Sequence, residues 1–219
     1  MTHTIAVIGG TGPQGRGLAY RLALAGNDVV LGSRVADRAS AKADEINERL
    51  PEPVVRGTDN GSAIDAADIV LLAIPWEGHA ELVESLRASL AGKLLITCVN
   101  PLGFDDQGPY GLVLEESAAE QVQRLVPSAR VVGAFHHVAA LSLWKTPEPL
   151  HHEDVLVCGN DDEAKSVVID LAAAVTGKPG IDVGPMRLAR QLEPLTAVLI
   201  SMNKLHKTRT GIAITGIAG

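Results

Sequence analysis

Residues 5–15 read Ile5-Ala6-Val7-Ile8-Gly9-Gly10-Thr11-Gly12-Pro13-Gln14-Gly15. The apolar run at the start is short and rich in β-branched residues, which is typical of a strand buried on both faces. Gly10, Gly12 and Gly15 have the G-x-G-x-x-G spacing that joins a strand to a helix in dinucleotide-binding sites. We expect Gly10 to allow a tight turn, Gly12 to let the backbone approach a pyrophosphate, and Gly15 to let the helix pack closely on the sheet. The stretch therefore predicts a dinucleotide site.

The end of the second predicted strand indicates which dinucleotide fits. Residues 29–31 form an apolar run that is followed by Ser33 and Arg34, and Arg38 lies one helical turn further on. Sites for NAD usually place a carboxylate here, which hydrogen-bonds the ribose 2′-hydroxyl and would repel a 2′-phosphate. A hydroxyl and two guanidinium groups instead supply donors and positive charge for that phosphate. We predict NADP, and the alternative is that both arginines are solvated surface charges.

Composition limits the size of the core and the kinds of partner. The chain has 219 residues, of which 46% are hydrophobic and 3% aromatic, and its net charge is −7. We expect no nucleic-acid partner, because such partners need positive charge and stacking rings. Cys98 and Cys158 are too few for a disulfide framework. The start of the chain lacks a leader-like pattern and no apolar run is long enough to span a bilayer, so we expect a cytoplasmic protein without membrane contact.

Apolar strand-like runs alternate with helix-like segments along most of the chain. The predicted strands cover residues 5–8, 29–31, 54–55, 69–74, 94–99, 131–135, 154–159 and 180–184. The predicted helices cover residues 13–24, 37–50, 77–90, 117–126 and 162–175, and a long helix begins at Pro185. This order predicts an α/β fold with a Rossmann-type doubly wound parallel sheet and a smaller C-terminal α/β lobe. We assign residues 1–140 to the NADP-binding domain and residues 141–219 to the smaller lobe.

The segments between these elements carry further expectations. Residues 59–61 are expected to form a turn, residues 103–111 a loop long enough to be a functional flap, and residues 138–150 an irregular crossing of the site. The long C-terminal helix carries an apolar stripe that packs either on the first domain or on a second subunit. The stripe consists of Leu188, Leu192, Leu195, Leu199 and Met202. The apolar tail, residues 211–217, is expected to be docked.

Several side chains follow directly after strands, at the edge where parallel sheets bind ligands. Ile74 and Pro75 end one strand and Asn100 ends the next, so we expect them beside the ribose and nicotinamide of the dinucleotide. Trp76 either lies there as well or covers the following helix. His79, in the first turn of that helix, is expected at the surface.

Two histidines, His136 and His137, end a further strand and are the candidate proton donors at this edge. As a metal site the pair lacks a third ligand, so no metal is predicted. No Lys or Tyr stands nearby in a recognisable catalytic spacing. A flavin-like ring accepts a hydride directly and exchanges its nitrogen-bound proton with water, so it requires no protein acid. The sequence therefore favours such a ring as the second reactant.

Six stretches spread over the chain match a known family. They are Ile8–Gly12, Gly32–Arg34, Ile74–Glu77, Glu116–Glu120, Val157–Asp162 and Asp182–Pro185. On these stretches the chain resembles the NADPH-dependent coenzyme F420 reductases, the F420:NADP oxidoreductases of archaea and actinobacteria. The resemblance implies an oxidoreductase that transfers a hydride reversibly between NADP(H) and coenzyme F420, whose deazaflavin ring stacks on the nicotinamide. It also implies a homodimer.

The resemblance assigns roles to individual residues but no catalytic acid or base. The phosphate and 2′-phosphate contacts that it implies are Thr11, Gly12, Pro13, Gln14, Ser33, Arg34 and Arg38. The residues that it implies at the junction of the two rings are Ile74, Pro75, Asn100, His136, Ala140 and Thr210. Lys204, Lys207 and Arg209 are candidate partners for the acidic tail of F420, or else a solvated helix end that suits the helix dipole.

Two other functions fit the dinucleotide site. One is an imine or ketone reductase similar to the pyrroline-carboxylate reductases, which share the glycine start; the chain after the first domain is short for their helical dimerisation domain. The other is a non-catalytic NADP-binding sensor, which would bind the nucleotide without turning over any hydride acceptor.

Overall fold

The computed structural model describes residues 2–217, so Met1, Ala218 and Gly219, at the outer ends of the two predicted domains, lie outside it. Over this range the strands are β1 Thr4–Ile8, β2 Asp28–Ser33, β3 Val55–Asp59, β4 Ile69–Leu72, β5 Leu94–Thr97, β6 Leu102–Asp105, β7 Gly108–Gly111, β8 Arg130–Gly133, β9 Leu156–Gly159 and β10 Ile181–Gly184. The helices are α1 Pro13–Leu24, α2 Ala36–Asn47, α3 Asn60–Asp65, α4 His79–Ser85, α5 Arg87–Leu90, α6 Ala118–Leu125, α7 Ala140–Lys145, α8 Asp162–Leu171, α9 Ala173–Thr176 and α10 Ala189–His206, with a 3₁₀ turn at Met186–Leu188.

Eight of these strands form one sheet in the order β10-β9-β8-β5-β4-β1-β2-β3. Neighbouring strands are parallel except for β8 and β9, which pair antiparallel. The chain builds outward from β1 to β3 and then returns to the other side of β1, which is the doubly wound Rossmann pattern. The predicted fold class is confirmed. Because β9 and β10 extend the same sheet, the sheet crosses residue 140, and a domain division at that residue stays a prediction.

The central strands bury side chains on both faces, as their continuous apolar sequence requires. Ile5 and Val7 join one hydrophobic core, whereas Ala6 and Ile8 join the core on the opposite face, because successive side chains of a strand point to opposite sides. Helix α1 packs Leu18 into the first of these cores. Helices therefore cover both faces of the sheet and leave the carboxyl ends of its strands accessible.

Two segments differ from the predicted turn and the predicted single helix. The Asp59 side chain caps α3 by accepting a hydrogen bond from a backbone amide of its first turn at 3.0 Å, so Asn60 begins a helix. The turn predicted for residues 59–61 was therefore wrong. The helix predicted for residues 77–90 is divided into α4 and α5, and it begins only after Gly78, whose φ of +75° is left-handed.

The expected flap is a β-hairpin formed by β6 and β7. Asp105 Oδ1 accepts hydrogen bonds from the amides of Gln107 and Gly108, at 2.8 and 3.1 Å, which closes the turn between the strands. The hairpin packs on α10, where a Cβ added at Gly111 would lie 2.5 Å from Pro194 Cβ. A loop predicted from its glycines and aspartates is thus an ordered element held against the last helix.

A buried arginine fixes the segment predicted to be irregular over residues 138–150. The Arg21 side chain is 0% exposed and donates a hydrogen bond to the carbonyl of Leu143 at 2.8 Å. It also donates to the carbonyls of Pro147 and Glu148, at 3.0 and 2.7 Å. These bonds satisfy carbonyl groups at and beyond the end of α7, which the helix itself leaves without donors. The segment that was predicted to be irregular therefore contains a helix that Arg21 holds in place.

Helix α10 continues through Pro194 and packs part of its leucine stripe on the chain's own core. Leu192 is buried there, whereas Met202 is 40% exposed. The tail is docked, because the amide of Ile214 donates a hydrogen bond to Asp154 Oδ2 at 2.7 Å. Over residues 2–217, no helix combines the length and the apolar character that crossing a membrane requires.

Candidate active site

A cleft of about 850 Å³ opens at the carboxyl ends of β1, β2, β4 and β5. The predicted residues that line it are Thr11, Gly12, Pro13, Gln14, Ser33, Arg34, Arg38, Ile74, Pro75 and Asn100. Gly10 and Gly15 shape the turn behind this lining. Residues from four strand ends, distant in sequence, therefore meet at the predicted dinucleotide edge of the sheet.

The glycine turn after β1 divides its tasks among three residues. The left-handed φ of +83° belongs to Gly9, whereas the motif predicted the tight turn at Gly10. A Cβ added at Gly15 would lie 2.5 Å from the Gly9 carbonyl oxygen, so the helix packs as closely as predicted. A Cβ added at Gly12 would meet only that oxygen, at 3.4 Å. No described side chain caps α1 at Gly12, so the helix end is suited to bind an anion.

Basic and polar groups surround the part of the cleft beyond β2. Arg34 and Arg38 are exposed, and neither forms an ion pair with a carboxylate of the described chain. Asn60, which was predicted to lie in a turn, is buried beside Gly32, and its Oδ1 has no hydrogen-bond partner among residues 2–217. Ser33 lies between these groups on the cleft lining. Unpaired guanidinium groups next to a hydroxyl suit a phosphate ester.

A second cleft of about 550 Å³ adjoins the first and shares Gln14, Cys98 and Asn100 with it. Its other walls come from residues 136–141, from α10 and from the segment that follows α10. Ala140, predicted for the junction of two rings, lies on its lining. Because three residues belong to both linings, the two clefts meet at these side chains.

The C-terminal wall of the second cleft was only partly predicted. Thr210, which was expected at the junction of the two rings, lies on its lining. Arg209, a candidate partner for the acidic tail, lies there as well. The wall from α10 was missed, and it comprises Thr196, Leu199, Ile200 and Asn203. The spacing of three and four residues in this set places them on one face of a helix, which was the signal available in the sequence. Lys204 and Lys207 are exposed at the end of α10.

Two successive backbone carbonyls turn toward the junction of the clefts. Phe135 has a left-handed φ of +63°, a conformation that costs a residue other than glycine about 1–3 kcal/mol. Gln14 Nε2 donates a hydrogen bond to the Phe135 carbonyl at 3.3 Å. The next carbonyl, of His136, accepts hydrogen bonds from Asn100 Nδ2 and Thr196 Oγ1, both at 2.8 Å. Side chains from three elements thus hold a strained turn in place.

Neither histidine of the predicted pair is suited to transfer a proton. His136 is 3% exposed and lines the second cleft, and burial lowers its pKa to about 3, so its ring is neutral near pH 7. Burial also lowers the pKa of His137, whose Nε2 lies 2.8 Å from the carbonyl oxygen of Asp154. Burial raises the pKa of the shared Cys98 thiol to about 12, so it carries no charge either. Across residues 2–217, no three His, Cys, Asp or Glu side chains are grouped to hold a metal ion.

Trp76 lies outside the lining of both clefts and covers the following helix, the second of its two expected positions. Its ring stacks on that of His79, with centroids 5.4 Å apart. His79 is 1% exposed and its Nδ1 lies 2.8 Å from Gln121 Oε1 of α6. The prediction of a surface position for His79 was therefore wrong, because α6 packs over it.

Comparison with known proteins agrees with this geometry. Residues 4–101 match the family described as NADP oxidoreductase, coenzyme F420-dependent. The F420-dependent NADP reductase of Methanocaldococcus jannaschii is 39% identical over 222 residues, which cover 97% of this chain and 98% of that protein. The chain belongs to the F420-dependent NADP reductase family.

Solved structures relate this member of the F420-dependent NADP reductases to neighbouring folds. A protein of Arthrobacter sp. FB24, assigned as an F420-dependent NADP-reductase, matches with a TM-score of 0.80 at 31% identity, covering 97% of this chain and 100% of that one. A pyrroline-5-carboxylate reductase of Coxiella burnetii matches with a TM-score of 0.64 at 19% identity, covering 94% of this chain and 68% of that one. The second likeness shows a shared fold alone, and part of that longer reductase has no counterpart in this chain.

Proposed function

We propose that this chain transfers a hydride reversibly between NADP(H) and coenzyme F420. The observation that carries the proposal is the junction of the two clefts, where Gln14, Cys98 and Asn100 belong to both linings. The first cleft offers groups for the phosphates of a dinucleotide, and the second offers mostly apolar walls for a planar ring. Membership of the F420-dependent NADP reductase family supports the choice of F420 for the second cleft.

The residues of the first cleft fit NADP. The uncapped N-terminus of α1 presents amide groups and a partial positive charge to a pyrophosphate, within the turn formed by residues 10–15. Ser33, Arg34 and Arg38 bind the 2′-phosphate, since no described carboxylate competes for the two guanidinium groups. When bound, NADP supplies a nicotinamide ring that gives or accepts a hydride.

The residues around the junction position two rings against each other. Ile74 and Pro75 cover one side, and Ala140 lines the other. The neutral His136 ring contributes a wall without a charge. We assign no catalytic acid or base, because the hydride passes from ring to ring and the ring nitrogen of the deazaflavin takes its proton from water; the chain acts by holding the rings in contact.

The acidic tail of F420 is proposed to leave the second cleft along the end of α10. Arg209 lines that cleft, and the exposed Lys204 and Lys207 add positive charge nearby. Replacing Lys204 and Lys207 together with glutamine should raise the KM for F420 and leave the KM for NADPH unchanged. An unchanged KM for F420 would mean that these lysines form only a solvated helix end.

We also propose that the protein is a cytoplasmic homodimer. Val198, Met202 and Leu205 are 53%, 40% and 76% exposed and share one face of α10 by their spacing. A second copy of this face would cover them. Light scattering during gel filtration should give a dimer for the natural chain and a monomer for Leu205→Asp. Ile217→Asp, at an exposed apolar residue of the tail, is the control that should stay dimeric; a monomeric natural chain would refute the dimer.

The proposed reaction is tested by mixing the purified protein with NADPH and oxidised F420. We expect the absorption of the oxidised deazaflavin to disappear as NADPH is consumed. Ala140→Trp, which fills the second cleft, should abolish this turnover and leave NADPH affinity unchanged, because residue 140 lines only that cleft. Consumption of NADPH with a cyclic imine but not with F420 would favour an imine reductase, and binding of NADPH without turnover of any acceptor would favour a sensor.

A further inference from the structure

The amide of Asn100 is held in one orientation by its neighbours. Its Nδ2 donates hydrogen bonds to the His136 carbonyl at 2.8 Å and to Thr196 Oγ1 at 3.0 Å. A backbone carbonyl can only accept, so the nitrogen of the amide has to face it. The amide oxygen, Oδ1, therefore points the other way, and this buried atom has no hydrogen-bond partner among residues 2–217.

This oxygen belongs to a residue that lines both clefts. A buried acceptor without a donor is costly, and a ligand that supplies a donor removes that cost. We propose that Asn100 Oδ1 accepts a hydrogen bond from an amide-type N–H of a ring bound at the junction, and thereby determines specificity for that group. The inference rests on the proposed function, which supplies two rings with such a group: the carboxamide of nicotinamide and the imide of the deazaflavin.

Thr196 is the positioning residue for this acceptor. Its hydroxyl donates to the His136 carbonyl at 2.8 Å and accepts from Asn100 Nδ2 at 3.0 Å, so one hydrogen bond holds the amide and the other holds the carbonyl that the amide faces. Thr196→Ser keeps the hydroxyl, whereas Thr196→Val keeps the shape and removes both bonds. The valine variant should lose part of the specificity that Asn100 provides, and the serine variant should retain it.

The nicotinamide source is tested with 3-acetylpyridine adenine dinucleotide phosphate, in which a methyl ketone replaces the carboxamide and no N–H remains. With reduced F420 as the hydride donor, the natural protein should show a KM about tenfold higher for this analogue than for NADP. In Asn100→Leu that ratio should fall toward one, because the acceptor is gone. A ratio measured within one protein does not depend on the fraction that is folded. The thionicotinamide analogue, which keeps its NH₂ group, is the control and should show no such change.

The deazaflavin source is tested in the other direction with a deazaflavin methylated at its imide nitrogen. If the imide is the donor, the natural protein should disfavour this analogue about tenfold in KM and Asn100→Leu should not. The proposal is supported if Asn100→Leu loses discrimination against one of the two analogues, Thr196→Val loses part of it, and Thr196→Ser retains it. The analogue concerned then identifies which ring donates the hydrogen bond. If Asn100→Leu discriminates against both analogues as the natural protein does, or if the natural protein discriminates against neither, the proposal is wrong. Because natural F420 and NADP still turn over in those outcomes, the proposed function stands apart from them.

Discussion

The buried Glu193 of α10 should make the stability of the protein fall as pH rises. Its carboxyl group is 2% exposed and accepts hydrogen bonds from the amides of Ala118 and Ala119, at 2.8 and 3.0 Å, so it caps α6 from a distant part of the chain. Burial raises the pKa of Glu193 from 4.5 to about 7; the two amide bonds oppose that rise, and Glu120 adds to it. Replacing the carboxyl by Glu193→Gln removes the titration.

The sign and size of the effect follow from linkage between protonation and folding. Between pH 4.5 and about 7 the folded chain holds the Glu193 proton and the unfolded chain has released it, so raising the pH favours unfolding. The stabilisation is complete below pH 4.5 and is lost as the pH rises through about 7. At 1.36 kcal/mol per pKa unit, the difference between 4.5 and about 7 corresponds to about 3 kcal/mol of folding free energy.

Urea unfolding of the natural chain and of Glu193→Gln, from about pH 4 to about pH 8, measures this contribution of Glu193. The other titrating groups cancel in the difference between the two free energies of unfolding. The stability advantage of the natural chain over Glu193→Gln should shrink by about 3 kcal/mol across the range. Glu52→Gln, at an exposed glutamate, is the control and should change nothing. A difference that is constant with pH, or that grows in favour of the natural chain as pH rises, would refute the argument, because the amide bonds would then outweigh burial.

Three further substitutions test the 2′-phosphate site, the support of α7 and the glycine turn. Arg34→Ala should lower kcat/KM for NADPH about tenfold to a hundredfold and leave NADH unchanged, since it removes a charged donor to the 2′-phosphate. Steady-state kinetics with both nucleotides, and with the exposed Arg56→Ala as control, would contradict this if the NADPH preference persisted. Arg21→Met should destabilise the fold by about 3–5 kcal/mol in urea unfolding, because it leaves the buried carbonyls around α7 without donors; a loss below about 1 kcal/mol would contradict that. Gly15→Ala should cost about 1–3 kcal/mol and weaken NADPH binding in a thermal-shift titration, because the added Cβ would lie 2.5 Å from the Gly9 oxygen. Unchanged binding would mean that the turn adjusts freely.

The nucleotide half of the protein was predictable because its signals are local. The bounds of α1 agree with the prediction to the residue, since Pro13 marks its start and Gly26, with a φ of +85°, follows its end. Ser33 and Arg34 follow their strand directly, so the sequence shows their position at the edge of the sheet. Elsewhere the apolar runs predicted all eight strands of the main sheet, although not the antiparallel pairing of β8 and β9.

The second cleft was harder to predict because distant residues build it. Arg21 and Leu143, which shape one wall through α7, are 122 positions apart in the chain. Asn100 and Thr196 are 96 positions apart, and the hydrogen bond between them sets the orientation of both side chains. Nothing in the sequence around residues 138–150 or 196–203 indicates these partners, because a hydrogen bond across the fold leaves no periodic pattern. The resemblance to a family supplied Ala140 and Thr210 for this cleft, and it did not supply the wall from α10.

Direct passage of a hydride between two rings can be followed with deuterium. NADPH labelled with deuterium at nicotinamide C4, on each face in turn, is mixed with the protein and oxidised F420 in ordinary water. We expect the label from one face to appear at C5 of the reduced deazaflavin without dilution, because the two clefts adjoin and a hydride that passes directly between carbon atoms does not exchange with water. The reciprocal reaction with unlabelled NADPH in heavy water should place no deuterium at C5. Label lost to water, or solvent deuterium found at C5, would contradict direct transfer at this junction.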